Sequence, residues 1–266
     1  VKALLASLLL AGLLGYLTVL AGMYVFQRRL LYHPDRSASP VPPGFSEVWL
    51  TSEDGLRLNA WFAPSKSGVA TVLYLHGNAG NLGATAGRLQ AYLDAGFGVL
   101  GIDWRGYGQS EGEPSEAGLY ADGRAALAFL KEQSIPSSRV VLHGESLGSG
   151  VATLLATQES VAGLILEAPY LSVAEAAQYH YPYLPARWLV KDRFDNRSRV
   201  SRISAPILIL HGEADNTVPV SHGRALLALA GERAEGHFFP GGGHMDAFDL
   251  GGKEASLRFI RQILEK

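Results

Sequence analysis

The chain of 266 residues contains no cysteine. That absence excludes a disulfide scaffold, a thiolate metal site and a cysteine nucleophile, so any covalent catalysis must use another side chain. It leaves the redox compartment open. An excess of charge of one sign is missing too: 23 Lys and Arg face 25 Asp and Glu, a formal net charge of -2. Without a basic surplus, binding to a phosphate backbone loses its main driving force, and no nucleic-acid partner is expected. Charged residues make up 18% of the chain and hydrophobic ones 47%, which excludes global disorder and provides for a large core. No internal repeat or low-complexity tract is present. The 31 glycines follow no fixed period and fall between apolar runs, where tight turns would link strands and helices.

Charge is also absent over the 24 residues from Ala3 to Phe26. At about 1.5 Å per residue, a helix of that length exceeds the roughly 30 Å hydrocarbon core of a bilayer. Residues 1–29 are therefore read as a single-pass membrane anchor that meets the bilayer through residues 3–26, with Tyr24 and Tyr32 near the interfacial aromatic belt. A signal peptide cleaved near Val19-Leu20-Ala21 is the alternative, although its apolar region would usually run only about 7 to 15 residues. Lys2 precedes the run and Arg28, Arg29 and Arg36 follow it, so the positive-inside rule leans towards a cytoplasmic domain; a cleaved or ordinary signal anchor would place it outside. Ser7, Ala11 and Gly15 recur every four residues and offer a small-residue face for a second copy, hence a homodimer through the anchor. Residues 30–44 carry Pro34, Pro40, Pro42 and Pro43 and are read as a flexible, extended tether, with the main domain over 45–266.

Within that domain, Val48 to Thr51 and Leu56 to Phe62 alternate around Asp54-Gly55 and predict an antiparallel hairpin. Beyond it, apolar runs at 71–75, 97–102, 140–142, 164–166, 207–210 and 237–239 alternate with helical patterns near 82–94, 116–132, 147–157, 220–230 and 250–265. Strict alternation implies a parallel sheet covered on both faces, whose ligands bind at the carboxyl ends of the strands.

Gly-x-Ser-x-Gly occurs twice. Gly108-Gln109-Ser110-Glu111-Gly112 lies in a turn-rich stretch closed by Pro114 and is expected to be a surface loop. Gly144-Glu145-Ser146-Leu147-Gly148 instead joins an apolar strand directly to a helix, the setting of a nucleophile elbow. A serine nucleophile needs a histidine base held by a carboxylate. Of 8 histidines, His244 alone follows a glycine run, Pro240-Gly241-Gly242-Gly243, past the last strand; His76, His143 and His211 end strands and suit structural duty. Asp215 is the carboxylate candidate, with Glu213 as runner-up, in the loop after the 207–210 run. Ser146, Asp215 and His244 then occur in the chain order this architecture uses. Two N–H groups should hold an oxyanion, from Leu147 and from Asn78, with Ala79 in reserve; a helix cap is the other reading of Asn78. Asp103 and Arg105 are read as a structural ion pair.

His76-Gly77-Asn78-Ala79-Gly80, Asp103-Trp104-Arg105-Gly106-Tyr107-Gly108, the Ser146 elbow, His211-Gly212-Glu213-Ala214-Asp215 and Gly243-His244-Met245-Asp246 together resemble the α/β-hydrolase superfamily, over roughly residues 47–264. The apolar segment before them makes the chain most similar to its membrane-anchored α/β-hydrolase-domain branch, which includes depalmitoylases and lysophospholipid lipases. The resemblance implies an α/β fold with a mostly parallel, eight-stranded sheet, and a serine hydrolase cleaving carboxylic, lipid or thio-esters with no cofactor or metal. Glu145 departs from the family pattern, and an acid there would raise the local negative potential. Serine at position 146, where related dehalogenases and epoxide hydrolases carry aspartate, favours ester or thioester cleavage. The segment between Pro169 and Pro206 carries Tyr170, Tyr179, Tyr181, Tyr183, Trp188 and Phe194; these would either line an acyl pocket or pack on the sheet. The alternative of a different class is a non-catalytic binding module of the same fold tethered to the membrane.

Overall fold

The computed structural model describes residues 1–65 and 69–265. Eight strands form one sheet: β1 (Ser46–Thr51), β2 (Arg57–Ala63), β3 (Thr71–Leu75), β4 (Gly98–Ile102), β5 (Val140–Glu145), β6 (Gly163–Glu167), β7 (Ile207–Gly212) and β8 (Ala234–Phe239). Their spatial order is β8-β7-β6-β5-β3-β4-β2-β1. β1 and β2 are antiparallel to each other, β2 is antiparallel to β4, and all other neighbours are parallel. The hairpin turns where expected, with Gly55 at φ +84.

Strands β3 to β7 are buried on both faces, with side chains alternating between them. On β3, Leu73 and Leu75 join one core with α3 (Glu116–Glu132), α4 (Leu147–Gln158) and α8 (Val220–Ala230). Val72 and Tyr74 point the other way, into a core formed with α2 (Leu82–Asp94) and α9 (Lys253–Leu264). Helices start where side chains cap them: Asn81 accepts from Gly83 N at 2.9 Å, and Ser115 from Gly118 N at 3.2 Å. The last helix begins at Lys253 rather than near 250, because Gly251, at φ 121, lies outside helical backbone. Between β6 and β7 the chain leaves the sheet as a cap containing α5 (Val173–His180), α6 (Ala186–Leu189) and α7 (Arg197–Val200).

The N-terminal run is one helix, α1 (Lys2–Leu31), with no fully buried residue. Ser7, Ala11 and Gly15 are exposed on it, and a Cβ at Gly15 would meet nothing within 4 Å. The segment after it is extended, but it is docked rather than free. His33 and Pro34 pair in parallel with Ala79 and Gly80. Asp35 N donates to Gly80 O at 3.0 Å, Gly108 N donates to Asp35 O at 2.7 Å, and Tyr32 is buried in the core. Proline density sets an extended backbone; it does not prevent neighbouring N–H and C=O groups from finding partners on the domain.

Candidate active site

The carboxyl ends of β3, β5, β7 and β8 converge beside the point where strand order reverses, between β3 and β5. Ser146 occupies the turn from β5 into α4 at φ 46 and ψ -110, a strained conformation for a residue with a Cβ. The surroundings explain how that turn is possible. A Cβ at Gly148 would lie 1.9 Å from Leu75 O, and one at Gly144 would lie 2.6 Å from Gly148 O, so strand and helix approach only because both positions lack one. Ser146 N donates to Glu167 O at 2.8 Å, which ties the turn to β6.

The loops after β7 and β8 bring Asp215 and His244 to this serine. His244 Nε2 lies 3.0 Å from Ser146 Oγ, and His244 Nδ1 lies 2.7 Å from Asp215 Oδ2. Burial alone would raise the Asp215 pKa, but hydrogen bonds from His211, His244 and the Val218 N–H outweigh it and hold the carboxyl well below the usual range. Asp215 is therefore ionised at neutral pH, which places the His244 proton on Nδ1 and leaves Nε2 to accept from the serine. The other oxygen, Asp215 Oδ1, accepts from Thr217 N and Val218 N at 2.8 Å each. Glu213 points elsewhere and pairs with Arg224. His211, read from the sequence as structural, does bond the loop through Val218 O at 2.9 Å and also stands 3.2 Å from Asp215 Oδ2.

Asn78 and Leu147 line the same cavity as Ser146, a space of about 280 Å³. Three contacts fix Asn78: its carbonyl accepts from His33 N at 3.0 Å and from Tyr107 Oη at 2.8 Å, and its amide donates to Leu31 O at 2.6 Å. Asn81, not Asn78, caps α2. The backbone N–H groups of Asn78 and Leu147 have no hydrogen-bond acceptor among the described residues. Ala79, the reserve donor, is the register partner of His33, whose own N–H bonds Asn78 O.

Two sequence readings are corrected. Ser110 is buried rather than on a surface loop; its hydroxyl accepts from Asn59 N at 2.8 Å and donates to Asp103 O at 2.9 Å, stitching the loop to β2. Asp103 and Arg105 do not pair. Arg105 binds Asp122 at 2.8 Å and Asp54 at 2.7 Å. Asp103 accepts from Leu82 N at 2.8 Å and faces His76 Nε2 at 3.7 Å. Burial pushes Asp103 up to about 7 and His76 down to about 4, so His76 is neutral near neutral pH and Asp103 holds its proton only below it.

Sequence reasoning missed Arg88. Glu145 and Glu167 are register partners on β5 and β6, so their side chains share a face. Arg88 Nη1 lies 3.1 Å from Glu145 and 2.7 Å from Glu167, while Tyr74 Oη donates to Glu145 and His143 Nε2 lies 3.2 Å from Glu167. One guanidinium cannot neutralise two buried carboxylates. Burial and the Glu167 charge raise Glu145; burial opposes ionisation of Glu167 as well, but His143 and Arg88 hold it lower. Glu145 is thus paired within the domain and does not charge the cavity. Arg88 Nη2 also donates to Met245 O at 2.8 Å, which steadies the loop bearing His244. The only sequence signal was two glutamates ending apolar strands, without their partner.

Comparison with known proteins gives the family and the fold. A family model described as the alpha/beta hydrolase fold matches residues 70–200. An uncharacterized protein of Mycobacterium tuberculosis is 40% identical over 259 residues, covering 92% of this chain and 91% of that protein. A protein of Danio rerio named lysophosphatidylserine lipase is 37% identical over 213 residues, covering 70% of this chain and 55% of its own length. Among solved structures, an esterase of Pyrococcus furiosus superposes with a TM-score of 0.73 at 18% identity, covering 88% of this chain and 98% of that one.

Proposed function

Because the chain belongs to the α/β-hydrolase superfamily, we propose that it is a serine hydrolase cleaving carboxylic esters, held at a membrane by α1. The observation that carries the reading is the hydrogen-bonded series Ser146, His244, Asp215, with the serine on a strained elbow at the head of α4. His244 Nε2 takes the Ser146 proton as Oγ attacks the acyl carbonyl. The Leu147 and Asn78 N–H groups receive the oxyanion, helped by the positive end of the α4 dipole. Collapse of the tetrahedral intermediate returns the proton from His244 to the leaving alcohol or thiol, and water, activated the same way, frees the acid. Asp215 stabilises the imidazolium formed in between.

Medium or long acyl chains are the proposed substrates. The apolar helix beside the site and the lipid named for the Danio rerio relative support this. On a p-nitrophenyl ester, Ser146→Ala is expected to lose on the order of 10³-fold or more in kcat/KM. Ser110→Ala should keep its turnover and lose only fold stability through its two severed hydrogen bonds. Retained activity in Ser146→Ala would refute the assignment, whereas absence of turnover and of fluorophosphonate labelling in the wild type would leave the tethered, non-catalytic module standing.

A further inference from the structure

We infer that α1 is one wall of the substrate site as well as an anchor: the cavity at Ser146 is an acyl-chain channel between α1 and the cap, opening towards the bilayer leaflet. This rests on the proposed ester hydrolysis. Leu20, Met23, Tyr24, Gln27 and Leu31 line the cavity, a spacing that puts them on one face of the helix. Val173, Ala176, Ala177, Leu184 and Leu189 line it from the cap. Ser146, Asn78 and Leu147 belong to the same lining, so an apolar passage leads to the reacting residues.

Its direction follows from α1. The C-terminal end of α1 abuts the site, since Asn78 Nδ2 donates to Leu31 O at 2.6 Å. Leu20 lies eleven residues back along the helix, about 16 Å at 1.5 Å per residue. That is close to half of the roughly 30 Å hydrocarbon core, the depth of one leaflet and hence of one acyl chain. A lipid ester with its carbonyl at Ser146 would lay its chain along α1 in the direction the chain already has in the membrane.

The cap grips α1 low enough to meet that leaflet. Tyr16 Oη donates to Tyr183 O at 3.0 Å, Lys191 N donates to Gln27 Oε1 at 2.7 Å, and Arg28 Nε lies 2.8 Å from Asp192 Oδ2. Tyr16 lies ten residues, about 15 Å of helix, before Phe26, where the charge-free run ends; with that end at the interface, the contact at Tyr16 lies within the near leaflet. The cap tip must then sit in the near side of the bilayer. Its outward residues suit that depth: Tyr183 is 68% exposed and Trp188 86%, the side chains that favour a membrane interface. The occupant is therefore the acyl chain of a lipid ester taken sideways from the leaflet.

The test uses the full chain in phosphatidylcholine vesicles. Met23→Trp and Ala177→Trp fill the channel from opposite walls, and Leu9→Trp places the same bulk on α1 outside it. Kcat/KM for p-nitrophenyl palmitate relative to the acetate should fall at least about tenfold in the first two variants and stay as in wild type for Leu9→Trp. Fluorophosphonate labelling of Ser146 in each variant restricts the comparison to folded enzyme. An unchanged palmitate-to-acetate ratio in both channel variants, with Ser146 still labelled, overturns the channel and leaves the ester hydrolase intact. Absence of labelling and of ester turnover in wild type overturns both. A fluorogenic long-chain ester placed in the protein's own vesicles should be cleaved, and the same ester in separate vesicles should not; equal rates would refute entry from the leaflet in favour of entry from water.

Discussion

At the scale of single residues, much of the chemistry lies at positions the sequence marks by turn composition. Ser146 and His244 stand out because glycines flank them, and glycine is required where Gly148 leaves no room for a Cβ. Arg105 and Asp103 were misjudged because proximity in sequence says nothing about which direction a loop turns each side chain. Asp103 supplies a test of its real surroundings. An unfolded aspartate releases its proton near the ordinary 3.8, whereas burial keeps it on the folded protein up to about 7. Between those values the folded state binds more protons than the unfolded one, so this residue lowers stability as pH rises. Asp103→Asn cannot titrate, and its amide oxygen can still accept from Leu82 N. Its Tm relative to wild type should therefore shift upward from pH 5 to pH 8; a constant or falling difference would show that Asp103 is ionised throughout.

At the scale of elements, helix and strand periodicity placed α2, α3 and α8 at their observed bounds, since caps and apolar faces are local signals. The network under the elbow was illegible for the opposite reason. Arg88 is one charged residue on an amphipathic helix, and its meeting with Glu145 and Glu167 depends on α2 packing on β4 so that this one side chain reaches the ends of β5 and β6. Removing it should leave two buried carboxylates facing each other. Arg88→Met is expected to cost about 3 kcal/mol or more in urea unfolding at pH 8, because breaking a buried pair strands its partners. The loss should shrink at pH 5, where a carboxyl freed from its cation takes up a proton. A variant as stable as wild type at both values would show that the network contributes nothing to the fold.

For the whole molecule, the sheet's reversal point, the loops beyond it and the cap around α1 converge on one cavity. The apolar N-terminal run is plain in the sequence, but its contact with the cap is not, because pairs such as Arg28 and Asp192 lie far apart along the chain. Pairing of His33 and Pro34 with Ala79 and Gly80 turns what reads as a flexible linker into a docked segment between α1 and β1. The central claim is that Ser146 is the nucleophile this arrangement serves, and covalent capture tests it most directly. Full-length protein treated with a fluorophosphonate, then digested and analysed by mass spectrometry, should carry one adduct on Ser146, and Ser146→Ala should carry none. An adduct at Ser110 or elsewhere, or no adduct on folded protein, would contradict the account.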